Sequence, residues 1–492
     1  MSAGENEKGP NMSGITMRSA LQLSPLPCLI SIVFTLLFFT GCQPAGHFPY
    51  KEALEDQGEL SVYTQPFPQG TERLHFSLQS LSAVKDDGTM VPIALAFSDF
   101  NAVDMQRQRL LGSGILPPGN YRGLAFGVKE AFLRGEEEDS ALLVSETADM
   151  VDFPFHIAKR KATLLRLVFN YSQSVRGGFI FAPGFAIFVP EKPVTGLIGY
   201  VSNSASNNIT VLDKNALEVV GLIATGKDPQ GIVLDRSRNR AYAALSKDDA
   251  IAVIDVSGGE VINEIRLSSG DNPRELAITP AGDLLLAVNT GSSTISLVDP
   301  LTMFEIDRIA VDNEPRSILM DPTGKRAFVF NSMSGTISII DTARRALATT
   351  LSVGETPEKG AFNRNGNRLY IINAVSPYLT VLDVDNLIVL QRVFVGSGMR
   401  DIMVDPRTDL IYVSRKRDTA VQIYDPFALL PVSTIQTGAE TAYMTIDSEE
   451  NRLFLVHPQT KRIGVFGLIS RKKLTEIDVG DDPYCLTLMG ER

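Results

Sequence analysis

Three arginines recur at regular spacing in the second half of the chain, and together they could bind an anion. Arg274 and Arg316 are 42 residues apart, and Arg400 follows 84 residues later. Each comes directly after a Gly-x-x-Pro turn segment or a variant of it. A guanidinium group presents a planar fork of N–H donors that matches the oxygens of a carboxylate or phosphate. These positions predict an anion site, provided that the fold brings them together.

The equivalent positions of the other repeats complete a set of seven. They hold Gln230, Glu358, Ala442 and Tyr484. The alternative to an anion site is that Glu358 and nearby acids pair with the arginines, which would leave only a solvated rim.

A second basic group follows a later strand of the repeat. It consists of residues 415–417 (Arg415, Lys416 and Arg417) and residues 461–462 (Lys461 and Arg462). We expect Arg415 and Arg417 to lie on the same face as the seven positions and to add a basic sector there.

The elements that must position these residues are repeats. A short apolar run that ends in an aspartate recurs from Tyr200 onwards. The aspartates are spaced by 42, 44, 42, 42 and 42 residues, and they are Asp213, Asp255, Asp299, Asp341, Asp383 and Asp425. Each period contains four short segments rich in Val, Ile, Leu and Tyr, separated by turn residues. Four strands in about 40 to 45 residues are typical of a propeller blade.

The two ends of the repeat region are offset in a way that favours a closed ring. The region begins near residues 197–201 with the second strand of a repeat, and residues 483–489 supply only a first strand. Pairing them makes a shared blade and leaves no open sheet edge at the seam. The alternative, a linear solenoid, needs polar terminal caps. We therefore predict an all-β chain with a seven-bladed β-propeller over residues 194–492.

The repeat also resembles a known family. Residues 200–203 (YVSN), 370–373 (YIIN) and 412–414 (YVS) are similar to the YVTN repeat, as are the turn segments that end in Pro229, Pro357 and Pro483. The resemblance covers residues 195–492. It implies a seven-bladed propeller of the surface-layer type, often exported, and it implies no single activity.

The first part of the chain looks like an export signal. The apolar run 28–39 has 12 residues, which is too short to span a bilayer and suits a signal peptide. Residues 39–42 (FTGC) resemble the bacterial lipobox, although Phe39 departs from the usual leucine. The resemblance implies a lipid on Cys42 after removal of residues 1–41. The alternative is a plain signal peptide with an ordinary cysteine at this position.

Further expectations follow from the lipoprotein prediction. Met17 is a better start than the first residue, residues 42–57 form a tether, and Gln43 favours the outer membrane over other parts of the cell envelope. If Cys42 carries lipid, Cys485 has no disulfide partner and fills core; if it does not, a Cys42–Cys485 pair remains open.

Residues 58–193 do not repeat. Alternating segments such as 60–63 and 74–78 predict about eight strands, which suggests a small β-sandwich of the prealbumin or immunoglobulin type. The turn at residues 116–121 (LPPGNY) resembles one found in such secreted sandwiches.

Composition and motifs narrow the function. The net charge of −11 argues against a nucleic-acid partner. The four histidines lie far apart in the sequence, and the chain lacks C-x-x-C-H, a G-x-S-x-G elbow and a P-loop. We expect no metal, no cofactor and no catalysis.

The resulting hypothesis is a cell-envelope lipoprotein that acts as a non-catalytic binding or scaffold protein. One propeller face would bind an envelope protein, a polysaccharide or an anionic small molecule, and the lipid would contact the membrane. The alternative is an enzyme or enzyme subunit, either a lactonase-like hydrolase or a respiratory-enzyme accessory, with a site assembled across blades.

Overall fold

The computed structural model describes residues 54–191 and 194–490. The signal segment, Cys42 and most of the tether lie outside these residues. Among the described residues, strands dominate and α1 (Tyr171–Ser174) is the single α-helix. No helix in the described ranges has the length and apolar character needed to cross a membrane.

Twelve strands form the N-terminal β domain. They are β1 (Gly58–Thr64), β2 (Leu74–Lys85), β3 (Met90–Leu95), β4 (Asp99–Asn101), β5 (Arg109–Leu116), β6 (Gly119–Leu133), β7 (Ser140–Val144), β8 (Asp149–Ile157), β9 (Ala162–Phe169), β10 (Val175–Arg176), β11 (Ile180–Phe181) and β12 (Phe185–Phe188). Their order is β10-β11-β7-β6-β2-β3-β5-β1-β9-β12, with β4 joined to β2 and β8 joined to β6. The small β domain expected from the sequence is present.

A single core holds this domain together. Strands from both halves of the sheet bury side chains in it, including Leu60 from β1, Phe126 from β6 and Leu167 from β9. Phe76 stacks on Phe100 with ring centroids 4.5 Å apart. Buried aromatic pairs of this kind add about 0.5–1.5 kcal/mol each beyond their area burial.

Six blades are each built from four consecutive strands. They are β16 (Pro229–Asp235), β17 (Arg240–Leu245), β18 (Ala250–Asp255) and β19 (Glu260–Arg266); β20 (Pro273–Ile278), β21 (Leu285–Asn289), β22 (Thr294–Asp299) and β23 (Phe304–Ala310); β24 (Pro315–Met320), β25 (Arg326–Asn331), β26 (Thr336–Asp341) and β27 (Ala346–Ser352); β28 (Pro357–Phe362), β29 (Arg368–Asn373), β30 (Tyr378–Asp383) and β31 (Ile388–Phe394); β32 (Met399–Val404), β33 (Ile411–Arg415), β34 (Ala420–Tyr424) and β35 (Pro431–Gln436); β36 (Tyr443–Asp447), β37 (Arg452–His457), β38 (Arg462–Gly467) and β39 (Lys473–Asp478).

The seventh blade closes the ring. It combines β13 (Ile198–Asn203), β14 (Asn208–Asp213) and β15 (Glu218–Ala224) with β40 (Pro483–Leu488), in the order β15-β14-β13-β40. β13 and β40 are antiparallel, with Tyr200 opposite Thr487. The shared blade predicted from the offset ends is confirmed.

A buried ion pair lies beside the seam. Lys214, after β14, places its Nζ 3.3 Å from Asp447 Oδ2 at the end of β36, and both side chains are almost fully buried. The pair links the closing blade to its neighbour in the ring, the blade of β36 to β39.

The N-terminal domain packs against the outer strands of these same two blades. Arg107 Nη2 lies 2.7 Å from Asp478 Oδ1 at the end of β39. Gln108 exchanges two hydrogen bonds with the backbone of Val219 in β15, at 2.7 and 3.2 Å. Tyr63 packs into an apolar cluster with residues of both blades. The interface is thus both apolar and hydrogen-bonded.

Candidate functional site

The innermost strand of each blade lines the axis of the ring, and its first residues are arranged by β-bulges. In β20, Pro273 pairs with Asn289 and Glu275 pairs with Val288, so Arg274 is an extra residue. The same shift occurs in β24, β28 and β32. A bulge interrupts the alternation of side chains along a strand. Two consecutive residues of these strands therefore face the axis.

The axial cavity is the space that these residues enclose, with a volume of about 240 Å³. All seven positions singled out from the sequence line it: Gln230, Arg274, Arg316, Glu358, Arg400, Ala442 and Tyr484. The structure thus brings together residues that are up to 254 positions apart in the chain (484 minus 230).

A second group of lining residues was missed by the sequence analysis. These are the next residues along five inner strands, and they are Glu275, Ser317, Lys359, Asp401 and Tyr443. Ordinary strand alternation would turn them away from the axis. A run of polar residues immediately after the proline, where an inner strand is otherwise apolar, is the signal that could have identified them.

Glu275 sits in a chain of hydrogen bonds. Arg274 Nε donates to the Tyr484 hydroxyl at 3.1 Å, and that hydroxyl donates to Glu275 Oε1 at 3.1 Å. Burial raises the pKa of Glu275, although the nearby Lys359 and Arg274 charges oppose the shift. A carboxyl group in this setting can take up and release a proton closer to neutral pH than an exposed one.

Lys359 is held next to this carboxyl group. Its Nζ donates to Asp401 Oδ1 at 2.6 Å and lies 3.8 Å from the centroid of the Tyr443 ring. Burial alone would lower the pKa of Lys359, but Asp401 and Glu275 outweigh burial, so the pKa is raised. Lys359 is therefore a fixed positive charge. Cys485 lies close by, and burial raises the pKa of its thiol to about 12, so it stays protonated.

The arginines of the cavity differ in their pairing. Arg316 is neutralised by Glu314 at 2.5 Å and by Glu358 at 3.2 Å. For Arg316, the structure therefore shows the paired arrangement that was the alternative to an anion site. Arg400, in contrast, makes no hydrogen bond or ion pair with any residue in the described ranges. Its charge remains available to an incoming group.

Gln230 offers a further unused group in the same cavity. Its Nε2 donates to Asp228 Oδ1 at 3.3 Å, while its buried Oε1 has no partner among the described residues. A buried amide oxygen without a donor is costly, so a bound hydroxyl group would stabilise it.

The expected basic sector is not part of the axial cavity. Arg415 donates through Nη2 to the Tyr424 hydroxyl at 2.8 Å and to the carbonyl of Val395, so its side chain turns into the blade. The backbone N–H of Arg417 donates to Glu440 at 3.0 Å, and its side chain does not line the cavity. Neither arginine joins the axial residues, and the side chain of Arg415 is bonded within its own blade.

The two basic side chains at residues 461–462 each form an ion pair with a nearby acid. Lys461 lies 2.7 Å from Asp481, and Arg462 lies 3.1 Å from Glu476.

In the described part of the chain, no three His, Cys, Asp or Glu side chains are grouped so that they could hold a metal ion.

These features define the class of protein: a seven-bladed β-propeller with a charged axial cavity. The sequence model of the family "Lactonase, 7-bladed beta-propeller" matches residues 195–307. Comparison with curated proteins gives no match.

Similar solved structures agree on the fold. A propeller of Bacteroides fragilis with a proposed 6-phosphogluconolactonase activity has a TM-score of 0.52 and 17% identity, covering 60% of this chain and 99% of its own. A propeller of Bacteroides uniformis with the same proposed activity has a TM-score of 0.51 and 16% identity, with coverages of 59% and 98%. A protein of unknown function from Desulfotomaculum acetoxidans has a TM-score of 0.53 and 16% identity, also with coverages of 59% and 98%.

One prediction from the sequence is wrong. We expected no catalysis because no catalytic motif is present in the sequence. The match of residues 195–307 to a family model named for lactonase activity contradicts that expectation. The absence of a local motif does not exclude catalysis, because the residues that line the axial cavity come from every blade and leave no local signature.

Proposed function

We propose that the propeller is a hydrolase, that the axial cavity is its active site, and that its substrate is a small anionic lactone, a cyclic ester. The observation that carries the proposal is the chain from Arg274 through Tyr484 to Glu275, which holds a carboxyl group of raised pKa inside the cavity. The match of residues 195–307 to the lactonase family model supports the same chemistry.

In the proposed reaction, Glu275 acts as general base. Its carboxylate accepts a proton from a water molecule as the water oxygen attacks the ester carbonyl carbon. The bond from that carbon to the ring oxygen then breaks, and the proton passes from Glu275 to the ring oxygen, which becomes a hydroxyl group. One water and one lactone give one hydroxy acid, and Glu275 returns to its carboxylate form.

Two cations would assist. Lys359, fixed by Asp401, would stabilise the negative charge that develops on the carbonyl oxygen. Arg400 would bind an anionic substituent such as a phosphate or carboxylate, because its guanidinium group has no competing partner among the described residues. The oxygen of Gln230 would accept a hydrogen bond from a substrate hydroxyl group.

The test is an assay of acid release by the full chain at constant pH, with 6-phosphoglucono-δ-lactone and uncharged glucono-δ-lactone as substrates. We expect hydrolysis above the spontaneous rate, faster for the phosphorylated lactone. Glu275→Gln should lower kcat by about 100-fold or more, the usual contribution of a general base. Glu264→Gln, on an exposed outer strand, is the matched control and should change nothing.

A variant of Arg400 tests substrate binding separately from the chemical step. Arg400→Gln should raise KM for the phosphorylated lactone and leave the uncharged lactone unaffected, whereas Arg344→Gln, whose side chain is 83% exposed, should affect neither. The proposal fails if the wild-type rate equals the spontaneous rate for both lactones, or if Glu275→Gln is fully active.

We also propose that a lipid on Cys42 holds the enzyme at the cell envelope, supported by the apolar run 28–39 and the FTGC segment that follows it. Cys42→Ser should release the protein from the membrane fraction into the soluble fraction, detected by immunoblotting after fractionation. Cys485→Ser is the matched control and should stay with the membranes. Retention of the Cys42 variant in the membranes would contradict the proposal.

A further inference from the structure

A second cavity lies between the N-terminal domain and the propeller. Its volume is about 250 Å³, and strands β1 and β5 form one side of it. The other side is formed by the β13–β14 loop, β14 and β15 of the closing blade and by the β39–β40 connection. We name it the interdomain crevice. Asp481, whose side chain is 45% exposed, marks where it opens to solvent.

Strand β1 presents an unusual face to this crevice. Leu60 and Val62 point into the core of the N-terminal domain, so the alternate residues Glu59, Ser61 and Tyr63 point toward the propeller. Glu59 and Ser61 are nevertheless 2% and 4% exposed. Burying polar groups between two domains is unfavourable unless they are hydrogen-bonded. An interface that served only for docking would be expected to carry apolar residues here.

Two hydroxyl groups lie side by side on this face. Ser61 and Ser113 are directly opposite each other in the antiparallel β1–β5 pair. Neither hydroxyl group hydrogen-bonds to a residue in the described ranges. Close beside them, Asn208 Nδ2 donates to both carboxylate oxygens of Glu59 at 3.1 and 3.2 Å. The result is a compact group of hydroxyl, amide and carboxylate oxygens.

The remaining lining restricts the ligand class. No arginine, lysine or histidine lines the crevice, and the lysine at its mouth, Lys461, is paired with Asp481 at 2.7 Å, so the lining offers no cation to an anion. Leu110, Leu222 and the ring of Tyr63 supply apolar surface in the same crevice. A lining that combines hydrogen-bonding oxygens with apolar surface suits a ligand with many hydroxyl groups and C–H faces.

We propose that the interdomain crevice is a binding site for a neutral sugar-like polyol, held by Ser61, Ser113 and Glu59. The site is distinct from the axial cavity and does not depend on hydrolysis there.

The two cavities share one wall. Ser204 and Asp482 line the axial cavity, whereas Ser206 and Asp481, in the same two loops, line the crevice. The loops are tied together, since the Ser204 N–H donates to the Asp482 carbonyl at 3.0 Å and the Asp481 N–H donates to Ser206 Oγ at 2.6 Å. A polyol in the crevice would contact loops that also shape the axial cavity.

The test is a titration of the full chain with D-glucose and with glycerol, followed by saturation-transfer NMR. We expect saturable binding of glucose. Ser61→Ala and Ser113→Ala should each weaken it about fivefold, as expected for loss of one hydrogen bond of ~1 kcal/mol. The double variant should bind glucose about 25-fold more weakly than the wild type, since the two losses combine. Ser140→Ala, on the exposed end of β7, is the matched control and should bind normally.

Two further measurements make the outcome decisive. Gln230→Ala should leave glucose binding unchanged, because Gln230 lies in the axial cavity and is the residue there that would accept a hydrogen bond from a hydroxyl group. Thermal unfolding of the serine variants should match the wild type, which shows that lost binding does not come from lost structure. The inference is overturned if wild-type protein shows no saturable binding of either probe, or if the double serine variant binds glucose as the wild type does.

Discussion

Glu275 shows how strongly one carboxyl group depends on its surroundings. It lies one residue after Arg274 in a strand that starts at the ring axis, and it accepts a hydrogen bond from Tyr484, which belongs to a different blade. Burial raises its pKa despite the two nearby cations. Ionisation of Glu275 is therefore unfavourable for folding.

This pKa shift makes a signed prediction about stability. A carboxyl group whose pKa is raised on folding favours the folded state below its unfolded pKa and loses that contribution as the pH rises through its folded pKa. Glu275→Gln should therefore raise the Tm at pH 7 to 8, and the gain should shrink below pH ~4, near the ordinary pKa of glutamate. Thermal unfolding across this pH range measures the effect. A lower Tm for the variant at pH 7 would contradict the assignment.

The same shift predicts the pH dependence of activity. A general base must be unprotonated, so kcat should rise with pH through a midpoint above the ordinary glutamate value of ~4.3. The pH profile of kcat for the wild-type protein checks this expectation, and a profile that falls over the same range would exclude Glu275 as the base.

At the scale of strands, the repeat and its bulges explain which residues of the axial cavity could be predicted from the sequence and which could not. The repeat period was enough to align the seven positions that line the axial cavity, because each follows the same turn. The following residues, such as Lys359 and Asp401, could not be identified from alternation, because alternation places them on the opposite face and does not show the bulge that turns them inward. Arg415 lies outside the axial cavity: its position in β33 corresponds to Asn331 and Asn373 in other blades, which make hydrogen bonds within their own blades.

Strand packing around Glu275 gives a prediction of its own. Gly231 in β16 is the neighbour of Glu275 in β20, and a Cβ atom at Gly231 would lie 2.8 Å from Glu275 Oε2 and 2.9 Å from the carbonyl oxygen of Arg274. Gly231→Ala should displace the carboxyl group and lower kcat while the protein remains folded, measured by the lactone assay with circular dichroism. Gly221→Ala, whose Cβ would make only ordinary contacts of 3.4 Å or more, is the control. Full activity of Gly231→Ala would show that the position of Glu275 is not critical.

At the scale of the whole molecule, the N-terminal domain docks on the two blades that meet at the seam of the ring. The N-terminal domain packs on β15 and β39, which flank the seam of the ring, and Asp478 alone binds Arg107, Arg462 and the backbone of Leu110. The sequence predicted both domains and the ring closure. It could not predict this docking or the interdomain crevice, because they depend on which surfaces meet and carry no periodic signal.

The seam itself can be tested through Lys214. Lys214→Met leaves Asp447 buried without its cation, and the loss of one partner of a buried pair costs about 3–5 kcal/mol of unfolding free energy. The double variant Lys214→Met/Asp447→Leu should recover most of this loss, since both charges are removed. Urea unfolding measures both, with the exposed Lys472→Met as control. Equal stability of Lys214→Met and the wild type would show that the pair does not hold the ring closed.

The shared blade also has a consequence during protein synthesis. Tyr484, which connects Arg274 to Glu275, lies in β40, the last strand of the ring to leave the ribosome. Six inner strands can form before it appears, but the proton-transfer group is not assembled until β40 pairs with β13. Under the proposed function, a nascent or prematurely terminated chain would therefore lack hydrolase activity, which would appear in a single step when the ring is complete.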